Sequence, residues 1–340
     1  MDEHALDVVG IGSPLVDVLA VTTDAEIAAA GLERGSMSLV DLEQAERIYA
    51  TMGPTTEASG GSAANTVAGV AALGGTAGFV GKIADDTLGQ VFAHDIRATG
   101  VEFIPATAAM GDLGTADREQ VGTGRCLVLV SGDAERTMAT HLGAATTIAP
   151  DDVPAALVRR GRVVYLEGYL WDLPPAKEAM RRAIGVAHGG EGSVALSLSD
   201  PFCVDRHRRD FLDLLLDDVD VLFANEAEIT RLFATDSLDR AISSAEETGL
   251  LVAITLGPKG SVVLTASGPV EVPAHQVGEV VDTTGAGDLF AAGFLYGLTH
   301  GSDPEACARL GSLCAGEIIG HLGARPTQDL RALAGEAGLL

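Results

Sequence analysis

Aromatic residues are scarce in this chain of 340 residues, at 4% of the sequence, although hydrophobic residues together reach 47%. Val, Leu, Ile and Ala must therefore fill the core, and they suffice for one large α/β domain or two smaller ones. The sequence also lacks an apolar run as long as a membrane span. It begins with MDEH, which is acidic where a secretory signal needs positive charge. These absences predict a protein that stays in the cytoplasm and does not bind membranes.

Basic residues are few as well. Lys and Arg number 22 against 48 Asp and Glu, which gives a net charge of −26. Such a surface repels phosphate backbones and anionic lipids, which argues against nucleic-acid and membrane partners. Any nucleotide site must then be made locally positive by backbone amides, a few basic side chains and a divalent metal.

Several functional motifs are missing. The four cysteines show no CxxC spacing, which favours buried thiols in a reducing compartment. No GxxxxGK[ST] occurs, and this excludes a Walker-type NTPase. The stretch 10–15 (GIGSPL) resembles the first half of a dinucleotide-binding GxGxxG but lacks its third glycine, so we reject an NAD-dependent oxidoreductase.

Strand-like and helix-like segments alternate along most of the chain. Such alternation predicts a parallel sheet with helices on both faces, and ligands bind such sheets at the carboxyl ends of their strands. The predicted strands are 6–11, 16–21, 163–167, 193–198, 219–224, 250–256, 262–265 and 270–273. The predicted helices are 41–52, 66–73, 86–98, 174–187, 204–216, 226–234, 237–248 and 304–320.

Residues 101–142 differ in character, because they combine a Gly/Thr-rich loop at 107–124 with strand-like runs at 126–130 and 137–140 and show no helical pattern. No linker separates this region from the rest. We therefore expect one domain over 1–340, with an inserted β lid formed from about 16–40 and 101–142.

The most informative stretch is 281–297, VDTTGAGDLFAAGFLYG. Gly285 and Gly287 permit a tight turn into an apolar helix, and the free amides of a helix start form an anion site. Asp288 places a carboxylate beside that site, where it would repel a bound phosphate. A proton acceptor for a hydroxyl that attacks the phosphate explains this pairing, whereas a simple complement to the helix dipole is the structural alternative.

Five further residues in three regions of the sequence are candidates for binding. The double glycine 60–61 precedes a helix of small residues and would let a ligand lie against bare backbone, while Asn65 offers a donor and an acceptor to hydroxyls. A turn with a helix cap would look similar. Asp17 lies between apolar neighbours in the strand-like run 16–21. It is either a binding residue or an exposed residue of an edge strand. Arg136 is either a solvated turn residue or a cation that closes over phosphate.

Together these stretches resemble the ribokinase-like (PfkB) family of ATP-dependent carbohydrate and nucleoside kinases, from Gly10 to about Pro326. The resemblance rests on DTTGAGD at 282–288, on the double glycine with Asn65, and on NxxE at 225–228. It implies a three-layer α/β/α domain with a mainly parallel sheet and a small β lid. It implies Asp288 as the base, with Gly285, Ala286 and Gly287 as the anion hole. It further implies substrate contacts from Ser13, Asp17, Gly60, Gly61, Ser62, Asn65 and Arg136, nucleotide contacts from Asn225, Thr255, Gly257 and Gly260, and a metal-site role for Glu228.

Within the family, the segments 13–17, 60–65, 132–136 and 196–202 resemble those of adenosine kinases. The resemblance therefore implies transfer of the γ-phosphate of ATP, with Mg²⁺, to the primary hydroxyl of a nucleoside, converting adenosine to AMP. It leaves open a monovalent cation such as K⁺, and a monomer or a homodimer. A base clamp would have to come from few aromatic or apolar residues, with Leu170, Trp171 and Phe202 as candidates. The alternatives are a sugar kinase of the ribokinase or fructokinase type, an inosine–guanosine kinase, and, more remotely, a non-catalytic nucleoside-binding regulator.

Overall fold

The structure of the protein is a computed structural model, and it describes residues 6–108, 122–132 and 135–340. Its strands are β1 (Leu6–Ile11), β2 (Leu15–Val21), β3 (Met37–Leu39), β4 (Thr56–Gly60), β5 (Ala77–Val80), β6 (Lys82–Ala84), β7 (Glu102–Phe103), β8 (Ala106–Ala108), β9 (Thr123–Val130), β10 (Arg136–Gly143), β11 (Gly161–Glu167), β12 (Ser193–Ser197), β13 (Val221–Asn225), β14 (Leu251–Thr255), β15 (Ser261–Thr265) and β16 (Gly268–Val272). Its α-helices are α1 (Asp24–Ala29), α2 (Leu42–Thr51), α3 (Ser62–Ala72), α4 (Thr87–Ala98), α5 (Ala155–Val158), α6 (Pro174–His188), α7 (Pro201–Asp217), α8 (Glu226–Leu232), α9 (Leu238–Glu246), α10 (Ala286–Thr299), α11 (Pro304–Ile318) and α12 (Leu330–Glu336).

The main sheet has nine strands in the order β16-β15-β14-β13-β12-β11-β1-β5-β7. Neighbouring strands from β14 to β7 are parallel, and the last two at the other edge, β15 and β16, are antiparallel. Helical crossovers make this parallel pairing possible because parallel strands cannot be joined by a tight turn. The predicted three-layer α/β/α fold with a mainly parallel sheet is confirmed.

The two faces of the main sheet are covered by separate hydrophobic clusters. Consecutive strand residues point to opposite faces, so Val8 packs in one cluster and Val9 in the other. The first cluster takes buried residues from α3, α4, α10 and α11, and the second takes them from α6, α7, α8 and α9. Small and aliphatic side chains supply most of both clusters, as the scarcity of aromatics requires.

A second sheet of five strands, which we call the small sheet, has the order β3-β10-β9-β2-β4. One face is covered by α1 and α2, where Ile27 and Ile48 pack with Leu127. The sequence prediction for this region omitted β4, because its residues 56–60 (TEASG) lack apolar alternation. It also placed the start of the insert at 101, whereas β7 belongs to the main sheet and β8 pairs with β6. Most of the predicted Gly/Thr-rich loop at 107–124 lies outside the described residues.

The carboxyl ends of five parallel strands meet at one edge of the main sheet. Their last residues are Ile11, Glu167, Ser197, Asn225 and Thr255. Most predicted helices differ from the observed ones only at their ends. For example, α7 begins at Pro201 with Asp200 as its N-cap, three residues earlier than predicted, and it is kinked at His207. The edge of the main sheet that is formed by these five carboxyl ends faces the small sheet across a cavity.

Candidate active site

The helix α10 begins in a glycine turn. Gly285 caps it in the left-handed region, at φ 78°, and a Cβ on this residue would come 2.8 Å from the Cβ of Ala324. Glycine is therefore required both for the backbone angle and for the close approach. The amide of Ala286 donates to the carbonyl of Thr283 at 3.2 Å. Within the described parts of the chain, the amides of Gly285, Gly287 and Asp288 have no acceptor.

These open amides form an anion cradle, the name we use for the amides of Gly285, Gly287 and Asp288. The expected set was Gly285, Ala286 and Gly287. The amide of Ala286 is instead bonded within its own turn, and the backbone amide of Asp288 takes its place. Unpaired amides at a helix start carry partial positive charge and attract anions. The cradle thus lies directly beside the Asp288 carboxylate.

Two hydrogen bonds orient the carboxylate of Asp288. The hydroxyl of Ser62 donates to Oδ1 at 2.6 Å, and the amide group of Asn65 donates to Oδ2 at 3.0 Å. Burial raises the pKa of Asp288, although both hydrogen bonds and the charge of Arg325 act to lower it. A carboxylate with a raised pKa is a better proton acceptor than an exposed one.

The double-glycine turn between β4 and α3 lies next to strand β2, which pairs with β4. A Cβ on Gly60 would collide with the carboxylate of Asp17, and Gly61 has φ 97° and lies against the carbonyl of Ser13. Both glycines are therefore needed to bring α3 close to β2. This packing places Ser62 and Asn65 at the start of α3 opposite α10.

Asp17 lies on β2 and faces the cavity. Burial raises its pKa to about 7, against the lowering effect of Arg325 and Arg136. A carboxyl group in this setting can accept hydrogen bonds from hydroxyls when ionised and donate one when protonated.

Asn225 and Glu228 form a capping box at the start of α8. The backbone and side-chain amides of Asn225 donate to the two carboxylate oxygens of Glu228 at 2.9 and 2.7 Å, and the amide of Glu228 donates back to Asn225 Oδ1 at 2.9 Å. Burial raises the pKa of Glu228 to about 7. Capping alone accounts for the spacing, yet both residues also line the cavity. In the described part of the chain, His, Cys, Asp and Glu form no cluster of three that could hold a metal ion.

Thr255, Gly257 and Gly260 surround the turn between β14 and β15. Thr255 lines the cavity, whereas the two glycines lie beyond its wall. Gly260, at φ 99°, packs against the carbonyl of Val272, and the space beside Gly257, at φ 57°, is open within 4 Å.

Arg136 is not a free cation over the cavity. Its guanidinium pairs with the carboxylate of Asp282, and the two side chains are 7% and 1% exposed. Asp282 also accepts from the amides of Thr284 and Gly323, both at 3.0 Å. In this structure Arg136 therefore joins β10 of the small sheet to the loop before α10. This buried contact differs from both alternatives considered from sequence, a solvated turn residue and a cation that closes over phosphate.

The cavity has a volume of about 440 Å³. It brings together eleven of the sixteen residues predicted for the site: Ser13, Asp17, Gly61, Ser62, Asn65, Asn225, Glu228, Thr255, Gly285, Gly287 and Asp288. The other five lie outside its lining: Gly60, Arg136, Gly257, Gly260 and Ala286.

A family model described as pfkB family carbohydrate kinase matches residues 38–330. The chain belongs to the pfkB family of carbohydrate kinases. The solved structure of a probable sugar kinase from Rhizobium etli CFN 42 is 42% identical, covers 99% of this chain and 100% of that one, and has a TM-score of 0.92. The adenosine kinase structure from Sinorhizobium meliloti is 45% identical, covers 98% and 99%, and has a TM-score of 0.90. The adenosine kinase of Saccharomyces cerevisiae is 28% identical over 335 residues, which are 92% of this chain and 94% of that protein.

The predicted PfkB membership and the predicted ATP-dependent kinase are confirmed by these relatives. Among the described residues of this pfkB kinase, no helix is long and apolar enough to cross a membrane.

Two charged residues near the site of this pfkB kinase were missed. Glu167 is 2% exposed and accepts from the amides of Ser13 and Ala63 at 3.3 and 3.0 Å, so it joins the turn after β1 to the start of α3. Burial raises its pKa to about 7. Arg325 is the second, and its partners lie far away in the sequence. A carboxylate at the end of a central strand is a signal that could have found Glu167.

The three candidates for a base clamp in the pfkB kinase are not on the cavity wall. Leu170 and Trp171 are buried in the core, and the indole N–H donates to Asp210 at 2.8 Å. Phe202 is 62% exposed and lies under the guanidinium of Arg231. The small sheet instead presents aliphatic or sulfur-containing side chains to the cavity: Leu15, Met37, Leu39, Cys126, Met138 and Leu142.

Proposed function

We propose that the protein transfers the γ-phosphate of ATP to the primary hydroxyl of a nucleoside, with adenosine as the first acceptor to test and AMP as its product. One observation carries this proposal. The carboxylate of Asp288 lies beside the open amides of Gly285 and Gly287 and is held by Ser62 and Asn65 from the opposite wall. An acceptor hydroxyl and a phosphate can therefore meet at one carboxylate.

In this mechanism the γ-phosphate lies over the anion cradle, whose amides stabilise the charge that spreads over its oxygens during transfer. The acceptor hydroxyl points to Asp288, which takes its proton. Asp17, Asn65 and the Gly61 turn hold the remaining hydroxyls. Exclusion of water from the cavity limits wasteful hydrolysis of ATP.

The site offers one carboxylate ligand to Mg²⁺, that of Glu228. Glu228 is 5% exposed, lines the cavity and offers one carboxylate, which suits a metal that is bound mainly by phosphates and water. Bound there with ATP, Mg²⁺ would neutralise phosphate charge. Asn225 would hold Glu228 in place, and Thr255 with the 257–260 turn would contact the nucleotide.

The cavity lining supports a nucleoside over a free sugar. Apolar side chains from the small sheet, such as Met37, Leu39 and Met138, match the faces of a nucleobase, whereas a sugar presents hydroxyls on all sides. Sulfur and aromatic ring atoms also attract each other.

A sugar kinase is the second candidate. The specific observation in its favour is that the small sheet's residues on the cavity wall, as far as the structure describes them, include no aromatic ring to stack on a base. The same Asp288 and cradle would serve either acceptor.

We further propose that the small sheet acts as a lid and that the whole chain works as one domain. The protein would act in the cytoplasm as a monomer or homodimer on small molecules, without nucleic-acid or membrane partners. The four buried free cysteines support a reducing compartment. Among the residues that the structure describes, none indicates a binding site for a monovalent cation.

The test is a coupled ADP-release assay with ATP, Mg²⁺ and a panel of acceptors: adenosine, inosine, guanosine, ribose and fructose. We expect the highest kcat/KM with adenosine and little ADP release without acceptor. Highest kcat/KM with a sugar would select the second candidate. ADP release that none of these acceptors increases would refute both the nucleoside kinase and the ribose or fructose kinase.

A further inference from the structure

Arg325 lies in the loop between α11 and α12, behind the cavity wall. Its Nε donates to the carbonyl of Ser59 at 3.1 Å, and Nη1 donates to the carbonyl of Ala64 at 2.7 Å. Ser59 and Ala64 lie on either side of the double-glycine turn. Since a guanidinium presents its donors in a rigid fork, one side chain holds the end of β4 and the first turn of α3 at a fixed separation.

The loop that carries Arg325 is anchored on both sides. The amide of Gly323 donates to Asp282 at 3.0 Å, and the amides of Thr327 and Gln328 donate to the buried carboxylate of Glu317 at 3.0 and 2.9 Å. Between these anchors, Ala324 packs against the Gly285 turn of the anion cradle. Arg325 is therefore held at a set distance from both halves of the site.

Charge also links Arg325 to the acceptor side. Burial lowers its pKa to about 10, against the effect of Asp17 and Asp288, and Arg325 in turn lowers the pKa of both carboxyl groups. Arg136 also faces Asp17 but is already paired with Asp282. Other charged groups also interact with this cluster: Asp95 acts on Arg325, and Asp282 acts on Asp17. The charges of Asp17 and Asp288 in turn raise the pKa values of their titratable neighbours, Cys126, Tyr165, Glu167 and Tyr169.

We propose that Arg325 is a positioning residue for phosphoryl transfer. It holds the double-glycine turn, so that Ser62 and Asn65 keep the Asp288 carboxylate aimed at the acceptor hydroxyl, and its charge favours the ionised forms of Asp17 and Asp288. It acts through these groups, because it does not line the cavity. The inference rests on the proposed function.

The test compares Arg325→Met, Arg325→Lys and Arg160→Met. Lys keeps the charge but loses the fork, whereas Arg160 pairs with Glu102 away from the site and provides the matched control. In Arg325→Met we expect kcat/KM for the acceptor to fall about 10–100-fold, as for a misplaced catalytic group. ATP affinity, measured by calorimetry, should stay within about twofold of the wild type, since Arg325 contacts none of the residues proposed to bind the nucleotide. Arg160→Met should match the wild type.

The pH profile separates positioning from mere structural support. Removing the cation raises the pKa of the carboxyl groups, so the acidic limb of kcat/KM should move to higher pH in Arg325→Met and return towards the wild-type position in Arg325→Lys. If Arg325→Met does not fold by circular dichroism, a loss of kcat/KM in Arg325→Lys carries the test.

Three results would overturn the proposal. The first is a folded Arg325→Met with wild-type kcat/KM and a wild-type acidic limb, and the second is wild-type kcat/KM in Arg325→Lys when Arg325→Met does not fold. The third is a loss of ATP affinity as large as the loss of kcat/KM for the acceptor. Asp288→Asn is measured in parallel. If that variant stays active, the proposed function fails, whereas an inactive Asp288→Asn beside a normal Arg325→Met refutes only this inference.

Discussion

Replacing Asp288 by Asn removes the proposed proton acceptor with little change of shape. The variant can keep both hydrogen bonds, because its oxygen accepts from Asn65 while its amide group donates to the hydroxyl of Ser62, which can turn to accept. The fold should therefore remain. Since burial raises the pKa of Asp288, removal of the charge should leave the thermal midpoint unchanged or slightly higher.

Turnover should respond much more strongly. A positioned general base contributes about 10²–10⁴-fold, and this corresponds to about 2.7–5.4 kcal/mol of transition-state stabilisation. We expect kcat to fall by that factor, with the affinity for ATP, measured by calorimetry, close to that of the wild type. The assay is ADP release at saturating ATP and acceptor.

A matched control tests the rival explanation, that Asp288 only complements the helix dipole. Glu305 lies in the first turn of α11, one position nearer to the N-cap than Asp288 is in α10, so Glu305→Gln removes an acidic side chain from the first turn of another helix. A dipole effect amounts to about 0.3–1 kcal/mol of stability and would be similar in both variants, without a loss of turnover. Near-wild-type kcat in Asp288→Asn would refute the reasoning.

Other predictions concern the walls of the site. Gly60→Ala places a methyl group against the Asp17 carboxylate, so the acceptor KM should rise about tenfold or more while the ATP KM stays constant; Gly53→Ala, with open space beside it, is the control, and equal KM values in both would contradict the packing. Arg136→Ala leaves the buried Asp282 unpaired and should lower the free energy of unfolding by about 3–5 kcal/mol in urea titrations; a loss below about 1 kcal/mol would show that the pair is weak. Asp17→Asn should raise the acceptor KM and leave ATP affinity unchanged. Because the folded-state pKa of Asp17 is raised to about 7, its ionisation destabilises the fold as pH rises from about 4 to 7, so Asp17→Asn should be more stable than the wild type at pH 8 and lose that advantage near pH 4. A stability difference that does not change with pH would contradict the raised pKa.

Features that depend on local chemistry could be predicted from the sequence. The turn into α10 needs glycine at 285 for its backbone angle, so both the turn and the adjacent carboxylate of Asp288 are visible in the sequence. The alternation of strands and helices likewise predicted the parallel sheet. The capping box of Asn225 and Glu228 is a contact between residues three apart, and this spacing is visible as well.

Features that depend on distant partners could not be predicted. The carbonyl of Ser59 that binds Arg325 is 266 residues away along the chain, and nothing around Arg325 indicates burial. The partner of Arg136 belongs to another segment, so its sequence context suggested only a turn or a phosphate contact. Trp171 is 0% exposed and Phe202 is 62% exposed, although each lies near the start of a helix that follows a strand.

The central claim is that a phosphate on the anion cradle and an acceptor hydroxyl meet at Asp288. A crystal structure with a non-hydrolysable ATP analogue and adenosine tests it most directly. We expect the γ-phosphate to accept hydrogen bonds from the amides of Gly285, Gly287 and Asp288, with the 5′-hydroxyl within hydrogen-bond distance of the Asp288 carboxylate. A γ-phosphate bound away from these amides, or a 5′-hydroxyl that points away from Asp288, would contradict the account.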